Sequence, residues 1–247
     1  MVNKPHPPAD RASLINLPQD GGGDGLYKIM VDYHRRPFSV TWKGTWKQLP
    51  DLSTFPVVDP NVIVQVLPVP LSPALEAIWS TSKLLGFGAA ACVRVSDDQD
   101  ARFPIVKLAH PDEENLKLIE NEFKILKDLQ TLDVPVPEIS TEPIVDDEGK
   151  VCGYRMEKLR TLDQSEKPAR KGDVLDALKK LHAAGYCHGD VTDWNVMKDG
   201  SDRIVLIDFG FAGRVGDVVP TFIPRWVYES GVFTAEIDVK YVKRFFK

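Results

Sequence analysis

The sequence has few of the features that mark secreted, membrane-spanning or zinc-binding proteins. Its three cysteines, Cys92, Cys152 and Cys187, are an odd number and form no CxxC pair, which argues against a disulfide framework or a zinc site. No run of about 18 apolar residues is present, so no membrane span is predicted. The first ten residues, MVNKPHPPAD, lack the apolar core of a secretory signal. We therefore expect an intracellular protein, cytoplasmic or nuclear, with no membrane contact.

An excess of positive charge is also missing. The formal net charge is -5, so the composition gives no direct signal for nucleic-acid binding. Hydrophobic residues make up 43% of the chain and charged residues 27%, which is ordinary for a globular protein. The length of 247 residues suits one large domain or two closely packed lobes.

The chain divides into four segments by composition. Residues 1–25 hold four prolines and a glycine-rich run, and are predicted to be a disordered tail. Residues 26–80 alternate short apolar and polar runs, and are predicted to be an extension of unknown role packed on the third segment. That third segment, residues 81–158, is richer in strand patterns, and the fourth, residues 159–247, is richer in helical ones.

The hydrophobic periodicity predicts individual elements in the last two segments. Strands are expected within 84–95, over 103–109, near 144, and over 151–156, 195–197 and 204–207. Helices are expected over 112–132, ended by the prolines of 134–137, and over 173–184, capped by Gly185.

Three polar positions near the end of the chain carry the strongest chemical signal. They are Asp190 in His188-Gly189-Asp190, then Asn195, then Asp208 in Asp208-Phe209-Gly210. Phosphoryl transfer needs an acid that orients the acceptor hydroxyl, a task that suits Asp190, and oxygen ligands for magnesium, which suits Asn195 and Asp208. The alternative is that the two aspartates cap turns and Asn195 starts a strand.

These residues resemble a known family. HGDVTDWN followed by IDFG resembles the catalytic and metal-binding loops of the protein kinase superfamily. The resemblance implies ATP and Mg²⁺ as cofactors. It also implies that Lys107, in Pro104-Ile105-Val106-Lys107, is the phosphate-binding lysine, and that Glu122 is its partner on a helix.

Residue spacing supports Glu122 independently. Leu118, Glu122, Ile125 and Leu129 are four, three and four residues apart, so they share one face of a helix. A glutamate on an apolar face is costly without a cationic partner, which Lys107 supplies. The alternative is a glutamate at the partly exposed edge of that face.

The nucleotide site is completed by residues that match less distinctive parts of the kinase pattern. Gly86 and Gly88 begin a run that resembles the glycine-rich loop over the phosphates, with Ala91 in place of the third glycine. A plain hairpin is the alternative. The resemblance places Met156, Glu157 and Leu159 at the hinge that binds adenine, and Met197 beneath the ring, unless Met197 only fills the core.

The fold implied is α+β, a bilobal protein-kinase-like fold with a β-rich N-lobe and a reduced helical C-lobe. Several departures point to a small atypical kinase, among them Gly189 and Thr192 in place of common basic residues. The kinase subunit of the KEOPS complex is the nearest resemblance. It predicts that Asp238, in a last helix, braces the catalytic loop, with an exposed aspartate at a helix start as the equal alternative.

We predict an ATP- and magnesium-dependent enzyme that phosphorylates a hydroxyl, with Ser/Thr of a protein substrate as first choice. A small-molecule phosphotransferase and a non-catalytic kinase-like binding module are the alternatives. Because Gly189 cannot pair with a phosphate on the loop after Gly210, control is expected from a protein partner or from the N-terminal segment.

Overall fold

The computed structural model describes residues 12–22, 25–98, 100–163 and 165–246, which form a mixed α/β structure. The strands are β1 Ser13–Leu14, β2 Gln19–Asp20, β3 Leu26–Tyr33, β4 Arg36–Lys43, β5 Ile63–Pro68, β6 Ser82–Phe87, β7 Ala91–Ser96, β8 Ile105–Ala109, β9 Ile144–Val145, β10 Val151–Met156, β11 Arg160–Thr161, β12 Tyr186–Cys187, β13 Val196–Lys198, β14 Ile204–Leu206 and β15 Gly213–Arg214. The helices are α1 Pro73–Ser80, α2 Glu113–Leu129, α3 Lys167–Ala183 and α4 Glu236–Phe245.

The first sheet begins earlier than the sequence predicted. Its strand order is β1-β3-β4-β5, and β2 also pairs with β3. Ile15 is 1% exposed, and the Asn16 side chain accepts a hydrogen bond of 2.6 Å from the Met30 backbone N–H. The prediction of a disordered tail over 1–25 is therefore wrong for residues 12–22, because apolar side chains between the prolines and glycines complete this sheet. Residues 1–11, 23 and 24 lie outside the described ranges.

The second sheet has the antiparallel order β6-β7-β8-β10-β9, and the N-terminal segment packs on it. Ile15, Met30 and Trp79 form one buried cluster with Val106 and Leu108 of β8. In the same region the buried Arg94 of β7 binds Asp32 of β3 at 2.7 Å. Residues before position 81 are thus joined to this sheet by both apolar contacts and an ion pair.

Helix α2 comes after β8 and packs on β8 and β10. It begins at Glu113, and the carboxylate of the preceding Asp112 caps it by accepting from the Asn115 N–H at 2.9 Å. Its buried face includes Leu118, Glu122 and Leu129, as the spacing predicted. The helix therefore fixes Glu122 against the sheet that carries Lys107.

Helix α3 begins six residues before its predicted start, at Lys167 rather than Asp173. Pro168 lies in its first turn, where a helix has no need of that backbone N–H, so it does not block helix formation. Gly185 lies just after the helix with φ +85°, the left-handed conformation that glycine adopts readily. Two small sheets, β11-β13-β14 and β12-β15, place the loops after α3.

Cys92, Cys152 and Cys187 are all buried and carry free thiols. Burial raises the pKa of Cys187 to about 12, so this thiol stays protonated and unreactive at neutral pH.

Within the described ranges, each helix is too short or too polar to cross a bilayer.

Candidate functional site

A cavity of about 450 Å³ is lined by the polar residues that the sequence analysis predicted for the site. One wall comes from the second sheet and α2, and the other from the segments around β13 and β14. The lining includes Gly88, Val93, Lys107, Glu122, Tyr154, Met156, Asp190, Trp194, Asn195, Ile207 and Asp208.

Lys107 lies between two carboxylates. Its Nζ is 2.8 Å and 2.7 Å from the two carboxylate oxygens of Glu122, and 2.9 Å from Oδ1 of Asp208. Lys107 is on β8, Glu122 is on α2, and Asp208 comes after β14. One buried ammonium group therefore joins a sheet, a helix and a loop.

Glu122 is satisfied by more than the lysine. Its Oε1 also accepts from the Tyr154 hydroxyl at 2.9 Å and from the Phe209 backbone N–H at 3.0 Å. Tyr154 was missed by sequence reasoning. Its place opposite Lys107 on the paired strands β10 and β8 is a matter of register, which the sequence alone did not supply.

The charges of this cluster shift one another's titration. Burial alone would lower the pKa of Lys107, but the carboxylates of Asp208 and Glu122 outweigh it and raise that pKa. Desolvation would raise the pKa of Asp208, but the Lys107 ammonium outweighs it and lowers that pKa. Both groups are thus charged at neutral pH.

Asp190 and Asn195 are held together at the other wall of the cavity. The Asn195 Nδ2 donates to the backbone carbonyl and to Oδ2 of Asp190, at 2.9 Å each. His188 lies behind them and donates from Nε2 to the Ile207 carbonyl at 2.9 Å, while its Nδ1 accepts from the Asp190 N–H at 3.2 Å. The ring of His188 also packs on Phe209, with 4.5 Å between centroids.

Asp238 of α4 supports this loop from behind. Its carboxylate accepts from the backbone N–H groups of His188 and Gly189, at 2.9 Å and 2.8 Å. It is also 2.9 Å from Nε2 of His182 on α3. Because Asp238 is fully buried, the alternative of an exposed aspartate at a helix start is wrong.

The glycine-rich turn joins β6 to β7 and lies over the cavity. Gly88 lines the cavity and donates its N–H to the Ala91 carbonyl at 2.8 Å. Met156, at the end of β10, lines the cavity as well. The described residues that line the cavity do not include Gly86, Glu157, Leu159 or Met197. Their assignments stay predictions.

Glu157 and Met197 have other contacts. The Glu157 backbone N–H donates to the Glu138 carbonyl at 2.9 Å, and its carboxylate accepts from the Glu138 N–H at 2.8 Å. Met197 is paired in β13 with Thr161 and Val205. Ile207 and Val93 supply apolar surface within the cavity instead.

The comparisons with known proteins identify the class. A RIO-domain match and a kinase relative both support the atypical protein-kinase-like superfamily for this mixed α/β chain. Residues 91–217 match the family model of the RIO domain, a range that includes Lys107, Glu122, Asp190 and Asp208. The chain belongs to the RIO domain family. The finer resemblance to the KEOPS kinase subunit is not confirmed by these matches.

One curated relative is the RIO-type serine/threonine-protein kinase Rio2 of Methanocaldococcus jannaschii. The two are 30% identical over 136 residues, which is 52% of this chain and 44% of that protein. The chain thus matches less than half the length of this relative.

Proposed function

We propose that this protein is an ATP- and magnesium-dependent kinase that transfers a phosphoryl group to a serine or threonine hydroxyl of a protein. The observation that carries the proposal is the convergence of Lys107, Glu122, Asp190, Asn195 and Asp208 on one cavity. In this proposal, residues 81–158 act as the N-lobe of a bilobal kinase fold, residues 159–247 as the reduced C-lobe, and residues 26–80 as an extension.

The cavity has the size and lining for a nucleotide. Its volume of about 450 Å³ falls within the range of small-molecule sites, roughly 300–1,000 Å³. Lys107 would bind the α- and β-phosphates, with Glu122 holding its ammonium group in position. Val93, Met156 and Ile207 offer apolar surface for adenine. Main-chain groups of Glu157 and Leu159 would bind its edge, Met197 would lie beneath the ring, and Gly86 would belong to the glycine-rich loop over the phosphates.

The polar groups of the second wall fit magnesium. Asn195 binds Asp190 through its amide nitrogen, which directs its Oδ1 elsewhere, and Asp208 is ionised beside Lys107. In the described part of the chain, no cluster of three or more His, Cys, Asp or Glu side chains could hold a metal by itself. Mg²⁺ commonly takes one or two protein ligands plus phosphate oxygens, so Asn195 and Asp208 suffice. When bound, it would neutralise phosphate charge during transfer.

Asp190 suits the acceptor hydroxyl. Burial raises its pKa, and the nearby Asp208 carboxylate raises it further. A carboxylate with a raised pKa is a better proton acceptor, and it orients a hydroxyl by accepting its hydrogen bond. Activity should therefore fall as pH drops through this raised pKa, because only the ionised form accepts the bond.

Serine or threonine is proposed as the acceptor because the matched relative is named a serine/threonine-protein kinase. The experiment uses purified full chain, Mg²⁺ and labelled ATP, with a protein extract and a metabolite pool supplied separately. Label in protein, released as phosphoserine or phosphothreonine, supports the proposal. Label in the metabolites only would instead make the protein a small-molecule kinase.

Two variants separate the proposed roles. Asp190→Ala should lower transfer by about a hundredfold or more and change Mg-ATP affinity little, because Asp190 faces the acceptor. Asp208→Ala should abolish both transfer and magnesium-dependent ATP binding. Asp176→Ala, an exposed change on α3, is the matched control and should behave as the unaltered protein. ATP binding without transfer in the unaltered protein would mark a binding module, and no binding at millimolar Mg-ATP would overturn the proposal.

A further inference from the structure

His110 contacts the glycine-rich turn twice. It comes directly after the last residue of β8, three residues after Lys107, and its ring is buried. The ring Nε2 is 3.1 Å from the carbonyl oxygen of Gly88. The His110 backbone N–H donates to the Ala90 carbonyl at 2.9 Å.

These two bonds fix the turn from the side of β8. The turn is closed within itself by the bond from the Gly88 N–H to the Ala91 carbonyl. With the His110 bonds added, the carbonyl oxygens of Gly88, Ala90 and Ala91 each have a donor. Gly88 through Ala91 all line the large cavity, so the conformation of this turn decides which of its backbone groups face the cavity.

The His110 side chain lies among apolar residues, where the loss of its hydrogen bond would destabilise the protein. The ring lines a second cavity of about 70 Å³, together with Ile15, Met30, Leu75 and Trp79 of the N-terminal segment. Losing a hydrogen bond against such apolar surface is costly. Burial lowers the pKa of His110, so the ring is neutral near pH 7. Because a carbonyl oxygen only accepts, the Nε2 carries the hydrogen.

We propose that His110 is a positioning residue that holds the turn of residues 88–91 in the conformation that receives the phosphates of a bound nucleotide. A carbonyl oxygen held by His110 cannot turn toward a phosphate and repel it, while backbone N–H groups can approach. The N-terminal segment provides the apolar surface behind the ring. The inference rests on the proposed function, because it requires Mg-ATP in the large cavity.

The test compares Mg-ATP with adenosine, which carries no phosphate. His110→Leu puts an apolar side chain of similar size in place of the ring and removes the donor, whereas His110→Gln keeps an N–H that can bind the Gly88 carbonyl. In full-length protein, His110→Leu should weaken Mg-ATP binding fivefold to tenfold, about 1–1.4 kcal/mol. His110→Gln should bind within about threefold of the unaltered protein, and adenosine should bind all three proteins equally, within about twofold.

Calorimetric titration gives the affinities, and thermal unfolding confirms that each variant is folded. His110→Ala replaces His110→Leu if the latter does not fold. Equal Mg-ATP affinity in the apolar variant and the unaltered protein would overturn the inference while leaving the proposed function intact. Equal weakening of ATP and adenosine would also overturn it, since a merely structural role predicts that result. If the unaltered protein does not bind Mg-ATP, the proposed function fails and the inference fails with it.

Discussion

Tyr154 and Lys107 lie directly opposite each other on neighbouring antiparallel strands, and both side chains bind the same oxygen of Glu122. Directly opposite residues point to the same face of a sheet, so the register of β8 and β10 brings the two donors together. The Phe209 N–H is a third donor to that oxygen. The position of Glu122 is therefore set by the sheet and by the loop that carries Asp208.

Tyr154→Phe tests whether the tyrosine hydroxyl matters. The change removes one donor from a buried carboxylate and keeps the ring. We expect the free energy of unfolding to fall by about 1–2 kcal/mol and Mg-ATP affinity to fall severalfold, because Glu122 would hold Lys107 less firmly. Chemical denaturation and ATP titration measure the two effects. Tyr33→Phe, in the N-terminal sheet, is the control, and equal results for both variants would contradict the prediction.

The charged residues of the site were easier to predict from the sequence than the neutral residues that hydrogen-bond to the site. Glu122 could be predicted because a helix has a fixed period, so its place on an apolar face can be found by counting residues. Tyr154 and His110 depend on strand register and on how the glycine-rich turn folds back on β8. Those relationships arise from tertiary pairing, for which the local sequence has no equivalent of the helical period.

The errors in the predicted fold have similar causes. Proline and glycine before residue 26 predict disorder, yet pairing with β3 orders the described residues 12–22. Tertiary pairing overrides local composition there. The sequence predicted that α3 starts at Asp173, but the helix starts at Lys167, whose side chain binds Asp193 at 2.6 Å and anchors the earlier turn.

Asp238→Ala should destabilise the protein strongly. The change leaves two buried backbone N–H groups, of His188 and Gly189, without their acceptor. We expect a loss of about 2–5 kcal/mol in the free energy of unfolding, with phosphoryl transfer reduced in the folded fraction. Asp176→Ala on the exposed face of α3 should change stability by less than about 0.5 kcal/mol. A loss below about 1 kcal/mol for Asp238→Ala would show that the loop does not need this support.

Arg94→Met tests how firmly the N-terminal sheet is joined to the second sheet. The guanidinium is buried, binds Asp32 and Ser82, and stacks over Trp79 at 3.8 Å from the ring centroid. Removing it leaves Asp32 without its cation, so we expect a loss of about 3–5 kcal/mol. Adding Asp32→Leu should recover much of that loss, because no unpaired charge then remains.

The control for Arg94 is an exposed ion pair of the same type. Arg102 is 3.2 Å from Glu138, and both side chains are mostly exposed to solvent. Arg102→Met should therefore cost no more than about 1 kcal/mol. Urea unfolding of the full chain compares the variants. Similar small losses for Arg94→Met and Arg102→Met would mean that the N-terminal sheet is not coupled to the rest through this pair.

Gly189 is required by its surroundings. Its φ is +83°, and a Cβ atom at this position would lie 2.8 Å from the Phe211 carbonyl oxygen and against the Tyr228 hydroxyl. Gly189→Ala should therefore cost about 2 kcal/mol or more, from backbone strain and overlap. Gly200 has open space around its Cβ position, so Gly200→Ala should change stability little. No arginine can stand at position 189 without rebuilding these contacts.

This constraint leads to a prediction about regulation. Glycine at position 189 has no guanidinium that could pair with a phosphate on the loop after Gly210. Thr221 is the only hydroxyl-bearing residue between Gly210 and Pro224, and it is exposed. We expect phosphatase treatment and Thr221→Ala each to leave phosphoryl transfer within about twofold of the untreated, unaltered protein. Labelled-ATP transfer rates measure this, with mass spectrometry reporting the phosphorylation of Thr221. A loss of more than about tenfold, or roughly 1.4 kcal/mol of transition-state stabilisation, would show that loop phosphorylation activates the protein despite Gly189.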